Sequence, residues 1–220
     1  MKNKCLYCYK EINSTELGTP AGMAGYHSTC SKKIFGTTTP PLLDFTEDQL
    51  LQLGEQVIKS QRTITGVQPK LSLGLSSEKD APKRFTIVGL WGAYILKPQT
   101  SLYANLPEIE DLTMHLAQIS QIKTVQHALI KLKSGQLAYI TKRIDRNNGQ
   151  KVHMEDMCQL TERLTEHKYK GSYEQIAKAI KKYTANSGLD VTDFYELVLF
   201  SFLTGNNDMH LKNFSLLKSN

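Results

Sequence analysis

The hydrophobic pattern of this 220-residue chain changes near residue 150, from mostly the period of strands to the period of helices. Between Gln61 and Ile144, apolar residues alternate with polar ones or cluster in β-forming runs such as KLSLGL, AYILK and GQLAYITKRID. After Lys151, apolar residues recur at three- and four-residue spacings, as in HMEDMCQLTERL and SYEQIAKAIKKYT. A mostly β half followed by a mostly α half predicts an α+β protein with two lobes.

Two apolar segments predict particular helices. LPEIEDLTMHLAQIS, from Leu106 to Ser120, interrupts the β half with an early proline, glutamates in its first turn and apolar Ile109, Leu112 and Leu116 at helical spacing. TDFYELVLFSFL is apolar nearly all round and is expected to be a buried central helix. The predicted division of the chain is a cysteine-rich segment over residues 1–36, a mostly β lobe over 37–148 and a partial helical lobe over 149–220.

Charge and hydropathy limit the classes of protein that the chain can belong to. Its net charge of +6 favours anionic partners, with a solvated basic surface as the alternative. The longest apolar run, Phe194 to Leu203, contains Glu196 and Ser201 and is too short to span a bilayer. Because residues 1–10 are polar and form no signal peptide, we expect a cytoplasmic protein whose four cysteines do not form a disulfide framework.

A polar loop separates two apolar segments in the stretch FLTGNNDMHLKNFSLL. Asp208 and Asn213 in this loop have the spacing D-x-x-x-x-N. A phosphotransferase needs a carboxylate that accepts a proton from the attacking hydroxyl, together with oxygen ligands for Mg²⁺. Because Asp and Asn are also common in turns, a turn without catalytic function is the alternative interpretation of this pair taken alone.

Lys97 ends the predicted strand AYILK and precedes the helix that carries Glu108 and Glu110. A strand lysine followed by a helix glutamate is the arrangement required for a phosphate-binding lysine held by an ion pair. Glu110 is the preferred partner, because Glu108 lies beside Pro107 and could serve only the helix N-terminus. The alternative is an edge-strand lysine that faces water.

The segment RTITGVQPKLSLGL places hydroxyl groups, a glycine and a lysine before a strand. A loop formed by Thr63, Thr65 and Gly66 could cover phosphates through backbone amides, with the glycine allowing close approach. Phosphorylation of either threonine would add negative charge and repel a nucleotide. An ordinary hairpin is the alternative interpretation.

The N-terminal cysteines have the spacing of a metal site. Cys5 and Cys8 form C-x-x-C, and YHSTC adds His27 and Cys30. Three thiolates and an imidazole can complete a tetrahedral zinc site, which would stabilise a segment with little core of its own. The alternative is a set of buried or free thiols with His27 at the surface.

The order of these features identifies a family resemblance. TITGVQPKLSL, YILKPQ, LPEIEDLTMHLA, YITKRIDR, MEDMCQL and GNNDMHLKNFSLL, between Gln61 and Leu217, resemble the HipA family of serine/threonine protein kinases, which are toxins of bacterial toxin–antitoxin modules. The resemblance implies a two-lobed protein-kinase-like fold. The short N-terminal region and its C-x-x-C are more similar to compact HipT-type or split HipA C-terminal proteins.

The resemblance also implies the roles of the site residues. It makes Asp208 the catalytic base, Asn213 a Mg²⁺ ligand, Lys97 the residue that contacts ATP phosphates and Glu110 its partner. Adenine would be bound by backbone groups of the hinge between Lys142 and Ile144. The loop containing Thr63, Thr65 and Gly66 would cover the phosphates and be autophosphorylated.

The same resemblance implies partners for this chain and a further metal-binding residue. It implies an aminoacyl-tRNA synthetase as substrate, a HipB-type antitoxin through which DNA is contacted indirectly, and a separate HipA N-terminal subdomain. The family places a second metal-binding aspartate after the KNFSLL strand, where this chain has only Lys218, Ser219 and Asn220. We therefore expect a truncated, weakly active form. The alternative is a non-catalytic, zinc-bearing domain that contacts an antitoxin or nucleic acid.

Overall fold

The computed structural model describes residues 3–53, 70–76, 81–88, 91–147 and 149–218. These residues form helices and antiparallel strands in two compact units. The first unit comprises Met1–His115 and Thr124–Arg143, and the second comprises Leu116–Lys123 and Ile144–Asn220. The last of the three boundaries between the units falls after Arg143; the boundary predicted from the sequence lies at residue 148.

The first unit is built around one antiparallel sheet. Its elements are α1 (Ser14–Leu17), α2 (Pro20–Ala24), α3 (Ser28–Phe35), helical residues 47–53 (α4), β1 (Leu71–Leu75), β2 (Phe85–Ile87), β3 (Tyr94–Lys97), most of α5 (Leu106–Ile119), β4 (His127–Lys131) and β5 (Leu137–Lys142). The last four residues of α5 belong to the second unit. The strand order is β2-β1-β3-β5-β4. Leu71 and Leu73 of β1 are buried while Ser72 between them is partly exposed, which is the alternation expected of a strand with one face on a core.

The cysteine-rich N-terminal segment shares its hydrophobic core with the sheet. Tyr26, Ile34 and Phe35 are buried in one cluster with Tyr94. The hydroxyl of Tyr26 donates to the backbone oxygen of Leu129 in β4, and the hydroxyl of Tyr94 donates to that of Ile34 at 3.0 Å. The segment therefore belongs to the first unit instead of forming a domain of its own, because a piece this short cannot bury a sufficient core alone.

α5 confirms the helix predicted from the sequence, but the face that it buries is unexpected. Asp111 is fully buried, whereas the apolar Ile109, Leu112 and Leu116 are each about half exposed. A buried carboxylate is stable only when its oxygens are paired. The position of α5 on the first unit is therefore set by polar contacts as well as by apolar packing.

The second unit is mainly helical. Its further elements are β6 (Arg146–Asn147), β7 (Gln150–Lys151), β8 (Met154–Asp156), α6 (Met157–Leu160), α7 (Tyr173–Tyr183), α8 (Ser187–Leu203) and β9 (Ser215–Leu217), with 3-10 turns at Thr165–His167 and Leu211–Asn213. Strands β8 and β9 pair antiparallel, and Ser172 and Gln175 form a capping box at the start of α7. The unit's core joins Met157, Cys158, Ile176, Ala179, Ile180, Phe194, Leu211 and Phe214.

α8 differs from its prediction. It is helical, but only Phe194 and Ser201 are buried, while Tyr195, Phe202 and Leu203 are 65, 80 and 73 % exposed. The expectation of a helix buried all round is therefore wrong for the described part of the chain, in which Phe194 packs with Ile180 of α7 and with Phe214. No helix among the described residues is both long and apolar enough to cross a membrane.

Candidate functional site

Lys97 and Glu110 form an ion pair in the first unit. Lys97 is the last residue of β3, Glu110 lies in the second turn of α5, and the lysine ammonium contacts Oε1 of the glutamate. Only 20 and 24 % of the two side chains is exposed. The strand and the helix therefore hold the ammonium near the surface of the unit with its position fixed, as the sequence predicted for this pair.

Tyr139 lies beside the lysine and was not singled out from the sequence. It is directly opposite Lys97 in the β3–β5 register, and Lys97 Nζ lies 5.4 Å from its ring centroid. Burial, reinforced by the carboxylates of Glu110 and Asp111, raises the pKa of Tyr139, so the ring is a neutral phenol. Because the ring is uncharged, it attracts the lysine cation through its aromatic face and not as a second ionic partner beside Glu110.

The next residue of α5, Asp111, is the centre of a buried polar network. Asp111 accepts from the Tyr9 hydroxyl at Oδ2, over 2.5 Å, and its Oδ1 lies 2.6 Å from Nδ1 of His127. The Nε2 atom of His115 lies 3.0 Å from the backbone oxygen of Tyr7. This network was not predicted from the sequence, although the i, i+4 spacing of Asp111 and His115 on one helix indicates a shared face.

The four predicted zinc ligands come together in the first unit. The ligand atoms of Cys5, Cys8, His27 and Cys30 all lie within 4.8 Å of one another. His27 Nδ1 lies 3.5 Å from the sulfur of Cys8 and 3.7 Å from that of Cys30. Burial and the neighbouring thiols raise the pKa of Cys30 to about 12, so the cluster without a cation keeps this proton.

The D-x-x-x-x-N loop lies in the second unit. Asp208 is exposed, and its Oδ1 accepts from the Tyr169 hydroxyl at 3.2 Å and lies 3.6 Å from Nε2 of His210. Nδ2 of Asn213 donates to the backbone oxygen of Asp208. An exposed carboxylate with a neighbouring amide can accept a proton and offer oxygen ligands to Mg²⁺.

Neighbouring contacts hold this loop in place. The amide N–H of Asp208 donates to Oδ1 of Asn206 at 3.1 Å, and Lys212 pairs with Asp156 of β8 at 3.5 Å. A cavity of about 60 Å³ beside the loop is lined in part by Tyr169 and His210. Ligand pockets are usually roughly 300 Å³ or larger, so this cavity is too small to hold a nucleotide.

The remaining predicted residues fall at the unit boundary or outside the described ranges. Lys142 ends β5 in the first unit, and the exposed Ile144 begins the second stretch of the second unit. The predicted phosphate-covering residues Thr63, Thr65 and Gly66 lie outside the described residues.

Comparison with known proteins adds a family and named relatives. Residues 62–220 match the family of the HipA-like C-terminal domain. The chain is 28 % identical to a Haemophilus influenzae protein named "Putative kinase" over an alignment 227 positions long, which covers 98 % of this chain and 63 % of that protein. It is 32 % identical over 167 residues to "Putative kinase Y4dM" of Sinorhizobium fredii, and this match covers 70 % of this chain and 40 % of that protein. The chain thus spans less than two thirds of the length of these relatives.

Proposed function

Because this chain belongs to the HipA-like C-terminal domain family, we propose that it carries an ATP- and Mg²⁺-dependent serine/threonine protein kinase activity. The observation that carries the proposal is the ion pair between Lys97 at the end of β3 and Glu110 on α5. In protein kinases a lysine of the third strand, paired with a helix glutamate, binds the ATP phosphates. The kinase names of two relatives support the same class of reaction.

The proposed reaction uses Asp208 as the general base. A serine or threonine hydroxyl attacks the γ-phosphorus of ATP, the bond from that phosphorus to the β,γ-bridging oxygen breaks, and ADP leaves. The hydroxyl proton passes to the carboxylate of Asp208, whose orientation is supported by the Tyr169 hydroxyl. The side-chain oxygen of Asn213 would hold Mg²⁺, which neutralises phosphate charge when bound.

Nucleotide binding is proposed to use three further parts of the chain. Lys97 contacts the phosphates, and Glu110 holds its ammonium in position. Backbone groups between Lys142 and Ile144 bind adenine, and the loop of Thr63 to Gly66 covers the phosphates. The family match, which includes all of these positions, supports these assignments.

The proposed setting is a bacterial toxin–antitoxin module in the cytoplasm. We propose a protein substrate such as an aminoacyl-tRNA synthetase, with a HipB-type antitoxin and a separate HipA N-terminal subdomain as partners. Family membership supports this setting. Because the chain spans 63 % of one relative and 40 % of another, the activity of the whole protein is part of the proposal.

ATP binding tests the nucleotide site. Isothermal titration calorimetry with Mg²⁺–ATP should give a Kd that rises at least about tenfold in Lys97→Ala, which corresponds to roughly 1.4 kcal/mol of binding free energy. Lys131→Ala is the matched control, because Lys131 also ends a strand of the same sheet but is exposed. Equal affinities in Lys97→Ala and the wild type would reject the proposed site. ATP binding without phosphate transfer to any protein would identify the non-catalytic alternative.

A further inference from the structure

We propose that Cys5, Cys8, His27 and Cys30 bind a zinc ion, and that this zinc site holds α5 in the position in which Glu110 pairs with Lys97. The first part depends only on the cluster itself. The consequence for nucleotide binding rests on the kinase function proposed above.

The spacing of the donor atoms fits a tetrahedral ion. Bonds of about 2.3 Å to sulfur and about 2.0 Å to nitrogen place neighbouring donors roughly 3.5–3.8 Å apart around a tetrahedral zinc ion. His27 Nδ1 lies 3.5 Å from Cys8 Sγ and 3.7 Å from Cys30 Sγ. These distances leave room for the ion between the three side chains.

The outer contact of the histidine supports a ligand role. Nε2 of His27 lies 3.2 Å from the backbone oxygen of Glu11, so this nitrogen carries the proton and donates it to the carbonyl. The other nitrogen, Nδ1, then presents its lone pair to the thiols. Zinc-bound histidines usually have such a carbonyl partner on the nitrogen that does not bind metal.

The turn that carries the first two cysteines also places two tyrosines. The backbone N–H of Cys5 donates to the backbone oxygen of Lys10 at 2.8 Å, and the backbone N–H of Tyr9 donates to the backbone oxygen of Cys5 at 2.9 Å. Tyr9 follows Cys8 directly and has a φ of 60°, which is uncommon for a residue with a side chain. Zinc bound to both cysteines would stabilise this tight turn and therefore the direction of the Tyr9 side chain.

Tyr9 and Tyr7 contact α5 in three ways. The Tyr9 hydroxyl donates to Asp111 Oδ2 at 2.5 Å, and the Tyr9 ring stacks on the His115 ring with centroids 4.4 Å apart. The backbone oxygen of Tyr7 lies 3.0 Å from Nε2 of His115. One turn of chain thus contacts positions 111 and 115 of the helix, which lie one helical turn apart.

These contacts act on the residue next to Glu110. Asp111 is fully buried, and its two carboxylate oxygens are paired with Tyr9 on one side and His127 on the other. A shift of the cysteine turn would remove the Tyr9 partner of a buried charge, so α5 would have to move or loosen. Glu110 would then lose the position from which it contacts Lys97.

Metal content and hydrogen exchange test the proposal directly. The full chain, purified without chelators, should contain about one equivalent of zinc by mass spectrometry of the metal, and Cys8→Ser should contain less than about half of that. Amide exchange in a peptide covering α5 should become at least about tenfold faster in Cys8→Ser. Cys158→Ser is the matched control, because Cys158 is a buried cysteine of the second unit's core and should change neither quantity.

A second variant separates metal binding from the contact with the helix. Tyr9→Phe keeps all four ligands and the aromatic ring, so it should keep its zinc but show faster exchange in α5. Peptides from α7 provide the internal reference, so that general unfolding is recognised. If Cys8→Ser does not fold, chelation of zinc from the wild-type protein replaces it.

Each outcome of these experiments tests a different part of the proposal. Less than about half an equivalent of zinc, also after incubation with zinc salt, would reject the metal site. Zinc binding with unchanged α5 exchange after chelation would reject the contact mechanism. If zinc content and exchange follow the expectation but ATP does not bind, the kinase proposal fails while the zinc-dependent position of α5 stands.

Discussion

Glu110 and Asp111 are consecutive residues of α5 whose carboxylates pair with different parts of the first unit. Glu110 contacts Lys97 at the end of β3, whereas Asp111 contacts Tyr9 of the cysteine turn and His127 of β4. Neighbouring positions on a helix point about 100° apart, so one helix can meet both groups of partners. The placement of the candidate ATP lysine is thereby linked to the placement of the N-terminal segment.

Removing the Asp111 carboxylate should destabilise the first unit strongly. Asp111→Ala leaves Tyr9 and His127 without a buried partner, and we expect a loss of about 3 kcal/mol in the free energy of unfolding. Chemical denaturation followed by circular dichroism measures this loss. Asp48→Ala, at an exposed position of α4, should change the value by less than about 0.5 kcal/mol. A loss below about 1 kcal/mol for Asp111→Ala would contradict the structural role.

Removing the charge of Glu110 should weaken ATP binding without unfolding the protein. In Glu110→Gln the lysine loses its ionic partner, so we expect a roughly tenfold rise in the Kd for Mg²⁺–ATP, measured by calorimetry. The control is Glu108→Gln, which changes a carboxylate of the first turn of the same helix. If both substitutions raised the Kd equally, the effect would come from the negative charge of the helix and not from the pairing of Glu110 with Lys97.

Replacing Asp208 should separate ATP binding from phosphate transfer. Asp208→Asn keeps the shape of the side chain but cannot accept the hydroxyl proton, so transfer to a protein acceptor should fall by about 10²–10⁴-fold. Radiolabelled phosphate incorporation measures the rate, and calorimetry should show an ATP affinity within about threefold of the wild type. Asp193→Asn, an exposed carboxylate on α8, is the control. Unimpaired transfer in Asp208→Asn would reject the assignment of the base.

Alkaline pH should destabilise the first unit through its buried tyrosines. Burial raises the pKa of Tyr26 and Tyr139 above 10.0, so both stay protonated in the folded state when the unfolded chain ionises. Stability should therefore be constant with respect to these groups below pH 10 and fall above it, by about 1.4 kcal/mol per pH unit for each tyrosine.

Urea unfolding at a series of pH values measures this dependence. Tyr26→Phe and Tyr139→Phe should each give a shallower fall above pH 10. Tyr103→Phe serves as the control, since Tyr103 is 66 % exposed. A Tyr26→Phe profile as steep as that of the wild type would contradict the prediction.

Local features of the fold could be predicted because they depend on neighbouring residues. The helix at α5 and the capping box of α7 follow from side chains three or four positions apart. The pairing of Lys97 with Glu110 could be predicted as well, because a strand followed directly by a helix restricts which carboxylate the lysine can reach. Burial was predicted less well, as the exposed Phe202 of α8 shows, because it depends on which distant element covers a face.

Four properties can be recognised from the sequence alone: the α+β order of elements, the family, the C-x-x-C with its histidine partner and the D-x-x-x-x-N spacing. These properties are encoded in short spacings, so no knowledge of packing is needed to recognise them. Long-range packing, in contrast, buries Asp111 of α5 and brings Tyr9, which lies 102 positions away in the chain, close enough to donate to it. A buried carboxylate needs partners in space, and partners so far apart in sequence become neighbours only when the sheet and the N-terminal segment form one core.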